Sequence, residues 1–279
     1  MKNLLLLSSL VAFTACTVPP TKPPKTIHIN VPDTPDYSRV NIPHTPDYST
    51  VNIPNTPNYP ITNHPTANIP ETTDYATVDA NHNNLLSRGT EMLSNKKASE
   101  AIMNYFNPII RDYERRYASS KKPIFTARTQ KEHDTYIRSS YNAKILSKTW
   151  SEAYYLKAYA LLELNKINQA EETIDKALKL APANSKYLSE AAHIYQVKKE
   201  FRSALSRYKL AEKSANLYTP KSLHKKELLR AKRGIAYNLI ELREFNGAKK
   251  IYKEILRISP RDKIALKELK YIDELKKRR

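Results

Sequence analysis

The chain holds one thiol, Cys16, seven histidines spread from His28 to His224, and three isolated glycines, Gly89, Gly234 and Gly247. Each of these counts limits the chemistry. A lone cysteine cannot close a disulfide within the chain. Scattered glycines build neither a phosphate-cradling loop nor a nucleophile elbow, both of which need glycines close together. Glu132-His133-Asp134 places its groups on adjacent residues, whereas metal ligands share a helical face only when one turn apart. His133 therefore reads as a solvated or capping residue. Carboxylate pairs such as Glu171-Glu172 suit an exposed helix face. No catalytic residue, metal site or cofactor is expected, and the chain reads as a non-enzyme.

The position of Cys16 is more informative than its solitude. It follows Lys2 and a run of ten apolar or small residues, Leu4 to Phe13, about half of the ~20 needed to span a bilayer. That is the form of an export signal. Ordinary cleavage after Ala15 would put bulky Phe13 at the third-last leader position, where small residues are favoured. Phe13-Thr14-Ala15-Cys16 instead resembles the lipobox of bacterial lipoproteins, with Phe13 where leucine is commoner. The resemblance implies that residues 1–15 are a lipoprotein signal peptide and that Cys16 becomes an acylated first residue. Two or more acyl chains anchor firmly where one holds only marginally. Thr17 replaces the aspartate that commonly retains such proteins at the inner membrane, so the implied location is the cell envelope, at the outer membrane facing the periplasm.

Residues 17–80 contain 13 of the 18 prolines and no glycine. Pro32-Asp33-Thr34-Pro35-Asp36-Tyr37 recurs at a period of eleven as Pro43-His44-Thr45-Pro46-Asp47-Tyr48 and Pro54-Asn55-Thr56-Pro57-Asn58-Tyr59. Proline fixes φ and biases the preceding residue toward extended backbone, which excludes a packed helix and a sheet interior. Residues 16–80 thus read as a disordered linker, able to reach roughly 200 Å at about 3.1 Å per residue. The expected role is a spacer. The alternative is that the Thr-Pro-Asp-Tyr units dock on an aromatic-lined partner.

Beyond residue 80 proline becomes rare and self-similarity appears at a period of 34, the first pattern to seek in such a chain. With Ser151 as place one, Ala158, Ala170, Ile174, Ala177 and Pro182 fall at places 8, 20, 24, 27 and 32. A unit from Ser185 puts Ala192, Ala204, Tyr208 and Ala211 at places 8, 20, 24 and 27, and one from Leu229 repeats them with Ala236, Ala248, Tyr252 and Ile255, ending on Pro260. Small residues at 8 and 20 let paired helices approach, a large one at 24 plugs the gap to the next unit, and proline stops the second helix.

These residues resemble the tetratricopeptide repeat, a pair of antiparallel helices. The expected fold is an all-α superhelical solenoid of three clear repeats, over 151–262, plus one degenerate repeat from His82. In the degenerate unit Gly89, Ala101 and Tyr105 keep the spacing while Pro108 stands where a small residue belongs. Residues 81–150 comprise that unit and a helical insertion with an expected long helix over 127–150. Thr219 to Leu228 is a second insertion, and 263–279 a basic capping helix suited to closing the stack.

In tetratricopeptide proteins the first helix of each unit lines a groove through places 2, 5, 9 and 12. Here these are Glu152, Tyr155, Tyr159 and Leu162, then Lys186, Ser189, His193 and Gln196, then Arg230, Arg233, Tyr237 and Ile240. The protein-binding groove is therefore expected to run over Tyr155, Tyr159, Lys186, His193, Arg230, Arg233 and Tyr237. Tyrosine and arginine often dominate binding energy, and clustered arginines suit carboxylates.

The net charge of +19, with −3 on the tether and one leader lysine, leaves +21 on the body. Such a field attracts acidic partners, expected to be envelope proteins with acidic or carboxylate-bearing segments; nucleic acid is disfavoured because no base-stacking motif is present. The combination of lipobox and repeat array is similar to lipoproteins that serve pilus secretins, tight-adherence pili and outer-membrane protein assembly. The expected function is a membrane-anchored protein–protein interaction scaffold for an envelope machine. The alternatives are an adaptor for cell-wall enzymes or wall polymer, and a periplasmic chaperone.

Overall fold

The computed structural model describes residues 73–277. Cys16, the leader and the proline-rich repeats lie outside the described residues. The elements are α1 (Thr73–Ser94), α2 (Ala98–Ala101), a π-helical turn (Ile102–Phe106), α3 (Asn107–Tyr117), β1 (Ile124–Thr126), α4 (Gln130–Ser139), β2 (Lys144–Leu146), α5 (Thr149–Glu163), α6 (Ile167–Leu180), α7 (Ser185–Val197), α8 (Phe201–Tyr218), α9 (Lys221–Glu241), α10 (Phe245–Ile258) and α11 (Lys263–Lys277). The first helix begins at Thr73, inside the stretch assigned to the linker. Pro70 is the last proline of that stretch, and past it no residue opposes a helix.

Helices α5/α6, α7/α8 and α9/α10 are the three clear units, and α11 packs on α10 as the closing helix. First helices α5, α7 and α9 lie side by side as an inner layer, and each second helix packs outside them between its own first helix and the next. All six alanines at places 8 and 20 are fully buried, and so are Ile174, Ala177, Ala211 and Ile255. Small residues close the gap within a unit, which is why the paired backbones can approach there.

The turn inside each unit shows the frame independently. Lys96, Asn165, Lys199 and Arg243 have φ of 59°, 57°, 63° and 61°, and all four stand at place 15. In each case the next residue's N–H reaches five residues back, Lys97 to Met92, Lys166 to Leu161, Glu200 to Tyr195 and Glu244 to Leu239, at 2.7–2.9 Å. This is the left-handed helix cap that normally uses glycine, yet three of these four residues are Lys or Arg. A left-handed backbone costs a side-chain-bearing residue about 1–2 kcal/mol, and glycine's extra unfolded freedom returns up to about 1 kcal/mol of that. Lys199→Gly should therefore stabilise the domain by up to about 1 kcal/mol, read as a rise in thermal midpoint; a fall would mean that the lysine makes a contact outweighing its backbone strain.

The degenerate unit departs from the expected register for a physical reason. Pro108 lacks an N–H and would clash with the preceding turn of an α-helix. The chain answers with the π-turn, in which the Asn107 N–H reaches Ile102 and one extra residue is taken up. Every later place moves by one. Phe106, fully buried, takes the plug position expected of Tyr105, and fully buried Ile109 takes that of Pro108. A Cβ at Gly89 would sit 2.5 Å from the Phe106 ring, so glycine at place 8 is what admits the displaced plug.

The expected long helix over 127–150 is not formed. Residues 124–146 fold as β1–α4–β2, two parallel strands paired Ile124 to Lys144 through Thr126 to Leu146. Helix α4 starts only at Gln130, where the Thr129 side chain accepts the Glu132 N–H at 3.2 Å. It stops at Ser139, whose hydroxyl donates to the Tyr136 carbonyl at 2.8 Å beside the Ser140 N–H at 3.0 Å, and Ser140 itself turns to extended backbone. Phe125, Tyr136 and Ile145 then pack with Ala183 and Tyr218, so apolar residues that could have lined a helix face instead bury against the solenoid. The ten residues 219–228 are absorbed differently: Thr219 and Pro220 make the link, and the rest extend α9 to 21 residues.

Candidate protein-interaction face

The inner layer carries the residues mapped from the repeat frame, and its geometry begins with ion pairs between neighbouring units. Lys186 of α7 bridges to Glu152 of α5. The Tyr187 hydroxyl donates to the other oxygen of Glu152 at 2.9 Å. Burial alone would raise the Glu152 carboxyl, but the Lys186 ammonium beside it outweighs that and holds it below the usual carboxylate range. Lys186 also lies 4.3 Å from the centre of the Tyr155 ring, and that ring stacks on Tyr187 at 5.3 Å. Tyr155 is thereby fixed from two sides.

Arg230 of α9 donates to Glu190 of α7 at 2.5 Å. Glu190 is fully buried, and its second oxygen has no hydrogen-bond partner. His193 lies one turn further along α7; burial pushes its imidazole below the usual range, Arg230 lowers it further, and Glu190 opposes them. The ring is therefore uncharged at neutral pH, a hydrogen-bonding group and not a cation. Arg233 turns the other way, to Asp262 at the start of α11. Asp262 also accepts the Ala265 N–H at 3.0 Å and so caps that helix.

The expected cluster of cations is thus resolved into separate bridges. Lys186 serves the first and second units, Arg230 the second and third, and Arg233 the third unit and the closing helix. They do not converge on one anion, because each already opposes a carboxylate. All three keep about a quarter to a third of the side chain exposed, 27%, 31% and 28%. Tyr155, Tyr159, His193 and Tyr237 are partly exposed on the same layer, whereas Ser189 and Ile240 are buried and offer a partner nothing.

Two groups of residues were not visible in the repeat frame. One is Glu190, an acid at a buried place, legible only by noticing Arg230 on the next inner helix. The other is a charge network beneath the insertion. Arg128 donates to Glu227 of α9 at 2.8 Å and to Glu132 of α4 at 3.1 Å and 3.2 Å. Their side chains are 6%, 7% and 0% exposed. Thr219 holds the other Glu227 oxygen at 2.8 Å. Thr126 donates to Ser151 at 2.6 Å, and the Ala183 N–H donates to the Tyr136 hydroxyl at 3.1 Å. The insertion therefore fastens to the beginnings of α5, α7 and α9 and covers that edge of the inner layer.

The tetratricopeptide repeat family's sequence model matches residues 151–184, the α5/α6 unit, and the α7/α8 and α9/α10 units repeat its pairing and its turn. The fold is a tetratricopeptide-repeat solenoid. Solved structures similar to it include the first tetratricopeptide domain of Spaghetti (RPAP3) bound to the HSP90 peptide SRMEEVD, at 20% identity over 47% of this chain and 95% of that one, with a TM-score of 0.40. The Sgt2 tetratricopeptide domain from Aspergillus fumigatus is 21% identical over 46% of this chain and 82% of its own, at 0.38. The yeast histone chaperone Hif1 is 12% identical, covering 72% and 95%, at 0.49. No curated protein matches. Among the described residues of the solenoid, no three of His, Cys, Asp and Glu are grouped so as to hold a metal ion, and no helix is long and apolar enough to cross a membrane.

Proposed function

We propose that this protein is a membrane-anchored scaffold, held by lipid on Cys16 and using the inner layer of its solenoid to gather protein components of an envelope machine. The observation that carries the binding role is the row Tyr155, Tyr159, His193, Arg230 and Tyr237, spread over three adjacent helices and stiffened by bridges that exist before any partner arrives. A face ordered in advance loses little side-chain entropy on binding. Tyrosine and arginine supply contact area and directed donors. Arg230 and Arg233 each direct one guanidinium nitrogen to an internal carboxylate and keep 31% and 28% of the side chain exposed, which favours acidic or carboxylate-bearing segments selected by hydrogen-bond geometry more than by net charge. The tether supplies reach from the membrane.

Labelled palmitate should enter the wild-type protein in growing bacteria and not Cys16→Ser, and a high-salt wash, which releases electrostatic contacts, should strip the variant from the membrane fraction and leave the wild type there. Equal labelling, or unchanged fractionation of the variant, would remove the anchor and the envelope location with it.

A further inference from the structure

The inner layer uses its cations internally, so the surplus positive charge of the body is displayed elsewhere. Outer helices α8 and α10 carry Arg202, Lys209, Lys213, Lys250, Lys253 and Arg257, all exposed. Lys209 and Lys253 hold the same place in successive units, and so do Lys213 and Arg257. Among the described residues none of the six has a carboxylate within ion-pair distance. The reason is specific: the neighbouring acids Glu212 and Glu254 turn inward to Lys232 of α9, at 2.5 Å and 2.7 Å. The buried lysine withdraws the two carboxylates that would otherwise neutralise this face. On α6 the corresponding places hold Asn168, Glu172, Asp175 and Lys179, so the surface whose acids are turned to an internal lysine is confined to the second and third units.

We propose that this outer face docks on an anionic phospholipid bilayer surface. The patch carries only one exposed large apolar side chain among the described residues of α8 and α10, Leu217, a turn beyond Lys213, whereas protein interfaces are built around clusters of apolar and aromatic residues and are depleted in lysine. Nor does it hold the stacking platforms that single-stranded nucleic acid requires. Flexible lysine stems spread over two parallel helices match a diffuse layer of phosphate headgroups, to which each basic residue adds about fivefold in affinity. The choice of a bilayer over another polyanion rests on the anchored reading above; the patch itself does not. Together they give the protein two faces, one against the membrane and one toward partners.

The test uses the full chain carrying Cys16→Ser, so that no acyl chain contributes, with vesicles of phosphatidylcholine alone or mixed with phosphatidylglycerol. The chain should bind the mixed vesicles better than the neutral ones and release them as salt rises. K250E/K253E/R257E should weaken that binding roughly a hundredfold, with the fold intact because all three are exposed. K121E/K122E/K131E, which changes net charge equally, should bind within a few-fold of the parent. Equal binding to neutral vesicles, equal loss in both triple variants, or capture of soluble polyphosphate without capture of vesicles would each overturn the proposal. Such a failure leaves palmitate labelling of Cys16 untouched, so the two readings fail separately.

Discussion

Arg230→Glu is expected to destabilise the repeat domain by about 3–5 kcal/mol, the range for removing one partner of a buried ion pair. Glu190 is fully buried, one of its oxygens has no hydrogen-bond partner, and the other is held by Arg230. Without the guanidinium a carboxylate remains in the core with nothing to offset its lost hydration. For a domain of this size the thermal midpoint should fall by roughly 10 °C. Replacing both members together, Glu190→Met with Arg230→Met, should recover most of the loss, since an apolar pair of similar volume is often neutral. Arg233→Glu should cost less, because Asp262 keeps the Ala265 N–H as a partner. An unchanged midpoint in Arg230→Glu would show that Glu190 is reached by water in solution. Charge reversal at Arg230 is therefore a poor probe of binding, and tyrosines on the same layer are better ones.

Glu227→Ala should release the insertion. Arg128 would keep Glu132, its neighbour on α4, but lose its only bridge to α9, and Thr219 would lose its acceptor. The expected cost is about 3 kcal/mol, concentrated on residues 118–148 and not on the solenoid. A local loss of that size multiplies the open population by about a hundredfold. Trypsin should cut between Lys121 and Lys148 much faster in the variant, while α5 to α11 resist as before. If cleavage rates match the parent, the strands and the Tyr136 contacts hold the insertion without the charge network.

The solenoid was readable because its determinants are local and periodic. Alanines at places 8 and 20 and bulky residues at place 24 act the same way in every unit, so three copies reinforce one frame. What escaped has a different character. The insertion has helical composition, but the Thr129 cap, the Ser139 stop and one parallel strand pairing divide it. The π-turn follows from a single proline whose effect moves every later place by one. At the interaction face, residue types were legible and their pairings were not. Lys186, Arg230 and Arg233 appear in sequence as available cations, yet each is opposed by an acid 29 to 40 positions away. The withdrawal of Glu212 and Glu254 by Lys232, which exposes the outer cations, depends equally on how helices stack.

In the proposed scaffold, partners are held on the inner layer. A photo-crosslinking side chain placed at Tyr159 or Tyr237 in living cells should capture the same protein from both positions, whereas one at Glu172, exposed on outer helix α6, should capture none of it. Capture of that protein from position 172 and not from the two tyrosine positions would contradict the claim.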